Sequence, residues 1–348
     1  SLTIDTDAAS SLAAVEAGCV AVDEIKRNCT MSSCTGACTT LTPLSWLPRV
    51  GLGQMSPKGR CFSFDAFAQG WVKGEAFGSI AIDNLCETID GVPVLRDSRV
   101  PALGMLSGSS VKHMGVSAKL GTPSQPAMRA LFDDVARRAQ ISPSSVDAIE
   151  CHADGQLLND AVEYMSVARH FDWDDRPPLM LAAMKSSTGN AIQAVGMAQL
   201  VKVIFGQAFG VQTPSVHVRI LNPHMLQEDE SAERTNIVNE SIAYPMRSSV
   251  VGVSAIGWGG TLGHTLLSGG VDPALRGQPE APKQLDGAPA PLGPLQQLPW
   301  WPGSSGAEGE QPSPAPGVGY YVAGPGRGGW SEADWTAWEE ATAAEAWA

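Results

Sequence analysis

The sequence has few basic residues for its length. Its 348 residues include 23 Lys and Arg against 36 Asp and Glu, a formal net charge of −13. Because contacts to phosphates need a basic surface, this balance argues against nucleic acid as a partner. Long apolar runs are also lacking, since none approaches the roughly 20 residues that cross a bilayer. We therefore predict no transmembrane segment.

Cysteine is scarce as well, with seven residues scattered along the chain. Cys29, Cys34 and Cys38 lie close together, but no second Cys or His pair follows at zinc-ligand spacing. Ordinary strand and loop positions account for them, so we predict neither a metal nor another cofactor. The scatter favours an intracellular reducing compartment, cytoplasm or organelle, over a disulfide framework.

Proline and tryptophan are concentrated at the C-terminal end. Six of the ten Trp and about half of the 25 Pro follow residue 270. We predict a globular part over residues 1–270, a Pro/Gly-rich linker over 271–329 and a helical, Trp-rich acidic segment over 330–348. That segment would be either a helix docked on its own domain or an anchor for another subunit.

Strands and helices alternate in the predicted globular part, which indicates an α/β fold. Strands are predicted at residues 2–6, 75–83, 102–111, 148–151, 249–256 and 262–267. Helices are predicted at residues 10–26, 126–140, 159–169 and 191–205.

Several motifs follow one another in a fixed order. They are DTDAASSL at residues 5–12, GRCFSFDAFAQGWVKGE at 59–75, VDAIECHADGQ at 146–156, MKSSTGN at 184–190 and VSAIGWGGTLGH at 253–264. This series resembles the β-ketoacyl synthases (ketosynthases) of polyketide and fatty-acid synthases. The corresponding family patterns are DTACSSSL, GRCxxFDxxADGYVRGE, VEAHGTGT, VKSNIGH and VSSFGFGGTNAH.

The resemblance implies a thiolase-like, layered α-β-α-β-α fold. The chain matches its C-terminal part, so the fold would be partial, lacking its N-terminal part and followed by an irregular tail. Exposed core would then require cover, which predicts a protein partner or a homodimer. An acyl carrier protein is a further possible partner, because such a protein delivers the acyl group to ketosynthases.

The resemblance also assigns the site residues. Ala8 stands at the position of the nucleophilic cysteine, which condensation requires. His152 matches the first catalytic histidine, and Asn190 replaces the second. Lys185 matches a family lysine near the site, where it would steady a loop or pair with Glu163.

Two further departures concern the substrate pocket. Trp258, Gly259 and Gly260 match the pocket and oxyanion loop, with Trp258 in place of a phenylalanine. After His152, the Gly-Thr-Gly-Thr run of the family has become Ala-Asp-Gly-Gln. Hydroxyls that in the family bind the phosphopantetheine arm are therefore lost.

These changes predict a catalytically degenerate ketosynthase-like protein acting as a structural, scaffold component of a larger assembly. The alternative is a polyketide or fatty-acid synthase ketosynthase module, an acyltransferase. In that case either the alanine was engineered, or the domain retains only decarboxylation of a malonyl thioester.

Overall fold

The computed structural model describes residues 1–22, 29–90, 92–95, 102–116, 121–171, 177–225, 234–243 and 249–272. Nearly all of the predicted linker (271–329) and the whole Trp-rich segment (330–348) lie outside these residues. Both therefore stay predictions.

A six-stranded mixed sheet forms the centre of the described fold, in the order β5-β12-β11-β6-β7-β9. Its strands are β5 (Met105–His113), β6 (Val146–Glu150), β7 (Leu179–Ala182), β9 (Thr235–Ile237), β11 (Val250–Ile256) and β12 (Thr261–Ser268). Every residue of β11 is buried, as expected for a central strand covered on both faces. β11 runs parallel to β6 and antiparallel to β12, which brings the ends of β6 and β11 together.

The remaining described strands form three separate two-stranded sheets. They are β1 with β2 (Met31–Cys38 and Ala76–Asp83), β3 with β4 (Cys86–Ile89 and Val92–Leu95), and β8 with β10 (Val211–Gln212 and Ile242–Ala243). All three pairs are antiparallel.

Helices cover both faces of the six-stranded sheet. The α-helices are α1 (Ser10–Val22), α2 (Leu47–Gly51), α3 (Gln125–Ala139), α4 (Leu157–His170), α5 (Lys185–Thr188) and α6 (Val195–Phe209). α3 packs on β5, β12 and α4, while α1 and α6 pack on the opposite face and also on the β1–β2 sheet. The described layers therefore run β, α, β, α, which is four of the five layers of a thiolase-like fold.

Most of the predicted elements are confirmed, within a few residues at their ends. α3 carries Pro126 in its first turn, as its sequence predicts, and Gln140, which follows its last residue, adopts the left-handed conformation. The strand predicted at residues 2–6 is wrong, because only Thr6 forms an isolated bridge. Among the described residues no strand pairs with this segment, so a ladder of backbone hydrogen bonds does not form along it.

One helical stretch bears on the predicted absence of a transmembrane segment. Residues 192–209 have a mean hydropathy of 1.3 and are long enough to cross a membrane, but half of this stretch is buried in the fold. A core helix meets the same criterion, so this is weak evidence for a span. Leu200 and Met197 of α6 lie in the core between the two sheets.

Candidate active site

The turn before α1 places Ala8 at the rim of a cavity. Asp7 adopts a φ of 58°, a left-handed conformation that Asp tolerates better than most residues. The Ser10 hydroxyl accepts a hydrogen bond from the Thr6 N–H at 2.8 Å and donates one to the Asp7 carbonyl at 2.6 Å. Ala8 is 2% exposed and lines the cavity, a small space of about 30 Å³ that opens to solvent.

His152 follows β6 and is held from two sides. Its Nδ1 accepts a hydrogen bond from the Ile256 N–H at 3.1 Å, and the Lys185 ammonium lies 2.9 Å from the same atom. Because Nδ1 is an acceptor, the neutral ring carries its proton on Nε2. The side chain of His152 lines the cavity.

Buried carboxylates form the support beneath His152. Both oxygens of Glu163 accept backbone N–H groups, from His152 and Ala153, each at 2.7 Å. Burial raises the pKa of Glu163, against the lowering effect of these hydrogen bonds and of His152. Burial and the nearby Asp154 also raise the pKa of Asp160, whose carboxylate accepts the Phe64 N–H at 3.0 Å.

Lys185 is fully buried at the start of α5. Its ammonium group contacts both the ring nitrogen Nδ1 and the carbonyl oxygen of His152. Burial lowers the pKa of Lys185, while the carboxylates of Asp154 and Glu163 oppose that shift. Lys185 does not itself line the cavity, and neither do Gly259 and Gly260. Lys185 therefore acts on the cavity only through its contacts with His152.

Asn190 contributes a side-chain amide to the cavity wall. Its side-chain oxygen accepts the Ile192 N–H at 3.0 Å, which fixes the orientation of the amide. The Nδ2 amino group has no hydrogen-bond partner among the described residues, and Asn190 lines the cavity. This amino group is thus a free donor.

Asp154 introduces a carboxylate next to the histidine. Its Oδ2 lies 3.8 Å from His152 Nε2 and accepts a hydrogen bond from Gln156 Nε2 at 3.1 Å. Burial favours the neutral acid, but His152 and Lys185 outweigh it and lower the pKa of Asp154. An ionised Asp154 attracts the Nε2–H edge of His152, the edge that would otherwise polarise a bound carbonyl.

The loop after β11 closes the cavity with Trp258. Its backbone N–H donates a hydrogen bond to Asp7 Oδ2 at 2.8 Å, and the other oxygen of Asp7 forms an ion pair with Arg49. The guanidinium of Arg49 lies 6.0 Å from the Trp71 ring centre and 5.7 Å from that of Trp258. Neither Asp7 nor Arg49 was predicted from the sequence, although Asp7 stands where the family pattern DTACSSSL has alanine, and this departure was a signal for it.

Thiol and hydroxyl nucleophiles are missing from the cavity. In the part of the chain that the structure describes, its lining includes no Cys, Ser, Thr or Tyr. Cys38 and Cys61 lie elsewhere in the core, where burial raises the thiol pKa, to about 12 for Cys61. The described residues also include no group of three or more His, Cys, Asp or Glu placed to hold a metal.

Comparison with known proteins identifies this arrangement. Residues 1–87 match the N-terminal domain of β-ketoacyl synthases, and residues 103–219 match the C-terminal domain. The chain belongs to the β-ketoacyl synthase family. Its thiolase-like fold and its resemblance to ketosynthases, both predicted from the motifs, are thereby confirmed.

The relatives are polyketide synthases. The chain is 28% identical over 305 residues to the spectinabilin polyketide synthase system protein NorC of Streptomyces orinoci, covering 86% of this chain and 12% of that protein. It is 29% identical over 272 residues to a highly reducing polyketide synthase of Aspergillus terreus, covering 77% of this chain and 10% of that protein. The chain thus spans only 12% and 10% of the length of these two polyketide synthases.

Solved ketosynthase structures share the fold. An oxazolomycin ketosynthase domain of Streptomyces albus aligns with a TM-score of 0.69 and 27% identity, over 78% of this chain and 46% of that one. The ketosynthase from module 6 of the bacillaene synthase of Bacillus subtilis aligns with a TM-score of 0.67 and 24% identity, over 76% and 46%. The chain therefore corresponds to about half of each solved chain.

Within this ketosynthase fold, four of the predicted site residues come together. Ala8, His152, Asn190 and Trp258 are distant in sequence, yet all line one cavity. Lys185 supports His152 from behind, and Gly259 and Gly260 belong to the loop that carries Trp258.

Proposed function

We propose that this chain is a non-condensing ketosynthase domain that acts as a structural, scaffold component of a polyketide-synthase-type assembly. The observation that carries the proposal is the cavity lining, which has alanine at the elbow and neither thiol nor hydroxyl. Condensation proceeds through an acyl group bound covalently to a nucleophile. A methyl group at Ala8 cannot form that bond.

The surroundings of His152 support the same proposal. Asp154 and Gln156 stand where the family has Thr, and Asp154 lies 3.8 Å from His152 Nε2. A carboxylate there competes with a substrate carbonyl for the imidazole proton. It also repels the negative charge that develops on a thioester oxygen during acyl transfer.

The scaffold role rests on surfaces that the described residues leave uncovered. β1 pairs only with β2 in the described fold, and the outer face of this pair includes Met31 and Phe77, which are 59% and 77% exposed. Open strand edges and exposed apolar side chains are typical of surfaces that another chain covers. A second copy and a partner that supplies the rest of the fold both fit, and an acyl carrier protein remains a further partner.

A second function, decarboxylation of a malonyl thioester, is favoured by one observation. The Asn190 amino group is a free donor in the cavity, and His152 carries its proton on the Nε2 edge. Together they would hold the carbonyl oxygen of a malonyl thioester while the carboxylate leaves as CO₂, and the resulting enolate takes a proton from water to give the acetyl thioester. This reaction needs no nucleophile at position 8.

Incubation of the purified chain with malonyl-loaded carrier protein tests the proposal. Mass spectrometry would follow conversion of malonyl to acetyl carrier, with His152→Ala as the matched control. We expect equal, background conversion for both proteins. Conversion by the native chain well above that of His152→Ala would contradict the scaffold role and establish the decarboxylase.

A further inference from the structure

The Asp7 carboxylate occupies two hydrogen-bond donors that belong to residues lining the cavity. One oxygen accepts the Trp258 N–H at 2.8 Å, and the other forms an ion pair with Arg49. The Arg49 guanidinium also donates to Gln54 Oε1 at 3.1 Å. All four of these residues line the cavity, so the contacts form a connected network in its wall.

The ion pair in this network is partly buried, which distinguishes it from an ion pair on the surface. The side chains of Asp7 and Arg49 are each only 20% exposed, and a partly buried pair is screened less than an exposed one. Two tryptophan rings flank the guanidinium within about 6 Å, a distance at which cation–π attraction operates. Arg49 is thereby held in the cavity rather than extended into solvent.

The position of Asp7 in the chain decides what its carboxylate excludes. Asp7 directly precedes Ala8, and α1 begins at Ser10, so the carboxylate lies near the positive end of that helix. An acyl group attached at position 8 would place its carbonyl oxygen in the same region, where it needs an N–H donor. The Trp258 N–H is such a donor, and Asp7 already holds it.

We propose that Asp7 is an internal ligand of this cavity: its carboxylate, held by Arg49, keeps the Trp258 N–H from an external acyl oxygen. The inference rests on the proposed function for the same cavity, but it names a second obstacle, independent of the missing thiol. Removing the carboxylate without adding a side chain should open a carboxylate-sized site between Arg49 and Trp258.

Restoring a thiol at position 8 separates the two obstacles to acylation, which are the missing thiol and the Asp7 carboxylate. The variants Ala8→Cys, Asp7→Gly/Ala8→Cys and Asp7→Asn/Ala8→Cys would be incubated with acetyl-N-acetylcysteamine. In the reaction the introduced thiol gains the acetyl C–S bond, the original C–S bond breaks, and the thiol proton passes to the released N-acetylcysteamine. Intact-mass spectrometry measures the rate of adduct formation.

We expect the Asp7→Gly double variant to be acetylated at least tenfold faster than Ala8→Cys alone, since glycine suits the positive φ and leaves the Trp258 N–H free. Asp7→Asn keeps an oxygen for that N–H, so its double variant should stay slow. Equal rates for Ala8→Cys and the glycine double variant would overturn the internal-ligand inference. The scaffold proposal, which depends on the native Ala8, would survive that result.

Acetate binding gives a second test that needs no added thiol. Acetate should raise the melting temperature of Asp7→Gly in a saturable manner, because it replaces the lost carboxylate. The native chain and Asp7→Gly/Arg49→Met should show no such rise at matched ionic strength. An equal rise in the native chain, or none in Asp7→Gly, would contradict the assignment.

Discussion

Buried charge is the dominant feature at the scale of single residues. Lys185, Asp154, Asp160 and Glu163 all lie within the fold beside His152, and most of them reach the backbone of the cavity wall. Buried charges remain only where partners satisfy them, since desolvation is costly. The cavity has therefore kept its supporting hydrogen bonds while its nucleophile is absent.

Replacement of Lys185 tests this network. Lys185→Met removes the donor to His152 and the positive charge among the buried carboxylates, so we expect a loss of about 3 kcal/mol in the free energy of unfolding. Urea denaturation measures it. Lys58→Met, at an exposed lysine whose ammonium lies 4.8 Å from the Phe67 ring centre, is the matched control and should change stability by no more than about 1 kcal/mol. Equal effects of the two variants would show that the buried network contributes little.

A pH prediction concerns His264 in β12. Burial, reinforced by His170, lowers the pKa of His264 from 6.5 to about 3, and its Nδ1 pairs with Ser254 Oγ at 2.9 Å. Because the unfolded chain binds the proton first, stability is retained above pH 6.5 and falls as the pH drops below it. The His264 share of that loss is about 2 kcal/mol by pH 5.

His264→Gln separates this share from general acid effects. Urea denaturation at pH 7.5 and pH 5 should show a smaller acid-induced loss for the variant than for the native chain. The variant will be less stable than the native chain at both pH values. The diagnostic quantity is therefore the change in the free energy of unfolding between pH 7.5 and pH 5, compared between the two proteins. An unchanged difference would mean that His264 titrates normally in the fold.

At the scale of elements, close packing between β11 and β12 leaves no room for added atoms. A Cβ at Gly252 of β11 would lie 2.7 Å from His264 Cε1 and 3.1 Å from the Ile149 side chain. Real Cβ atoms do not approach this closely, so the buried His264 ring, which pairs with Ser254, would have to shift. The two strands also carry the loop that includes Trp258, and their packing sets its position.

Gly252→Ala should therefore destabilise the fold by about 1–3 kcal/mol through overpacking. Thermal unfolding followed by circular dichroism would measure the effect. Gly51→Ala is the control, because nothing lies within 4 Å of an added Cβ there. If both variants melt at the native temperature, the strands tolerate the extra methyl group and the packing argument is wrong.

The elements also show which features the sequence could predict. The buried strands and the amphipathic α3 followed from local pattern, and family motifs placed Ala8, His152, Asn190 and Trp258 in one site. The strand expected at residues 2–6 failed, because a strand requires a neighbouring backbone that the pattern does not include. The Asp7–Arg49–Trp258 network was missed since its members are far apart in sequence and no spacing rule joins them.

For the whole molecule, the described layers leave the β1–β2 sheet as an outer layer. α1 and α6 cover its inner face, while its outer face has small residues together with Met31 and Phe77. The solved ketosynthase chains are about twice as long as the matched region. The scaffold proposal places another chain or a second copy on this face.

Self-association of the purified chain tests that placement. We expect light scattering during gel filtration to give a mass above the 36.4 kDa of one chain, and Phe77→Ser to reduce it. Leu158→Ser, at a residue 62% exposed on α4, is the matched control and should leave the mass unchanged. A native chain that stays monomeric and unfolds cooperatively would contradict the proposal that another chain covers the outer face of the β1–β2 sheet.

Acyl transfer to the native chain tests the central claim most directly. The purified chain would be incubated with acyl-loaded carrier protein, and intact-mass spectrometry would be followed by peptide mapping. The absence of a thiol or hydroxyl in the cavity predicts no acyl adduct above that of His152→Ala. A stoichiometric adduct mapped to a side chain that lines the cavity would contradict it.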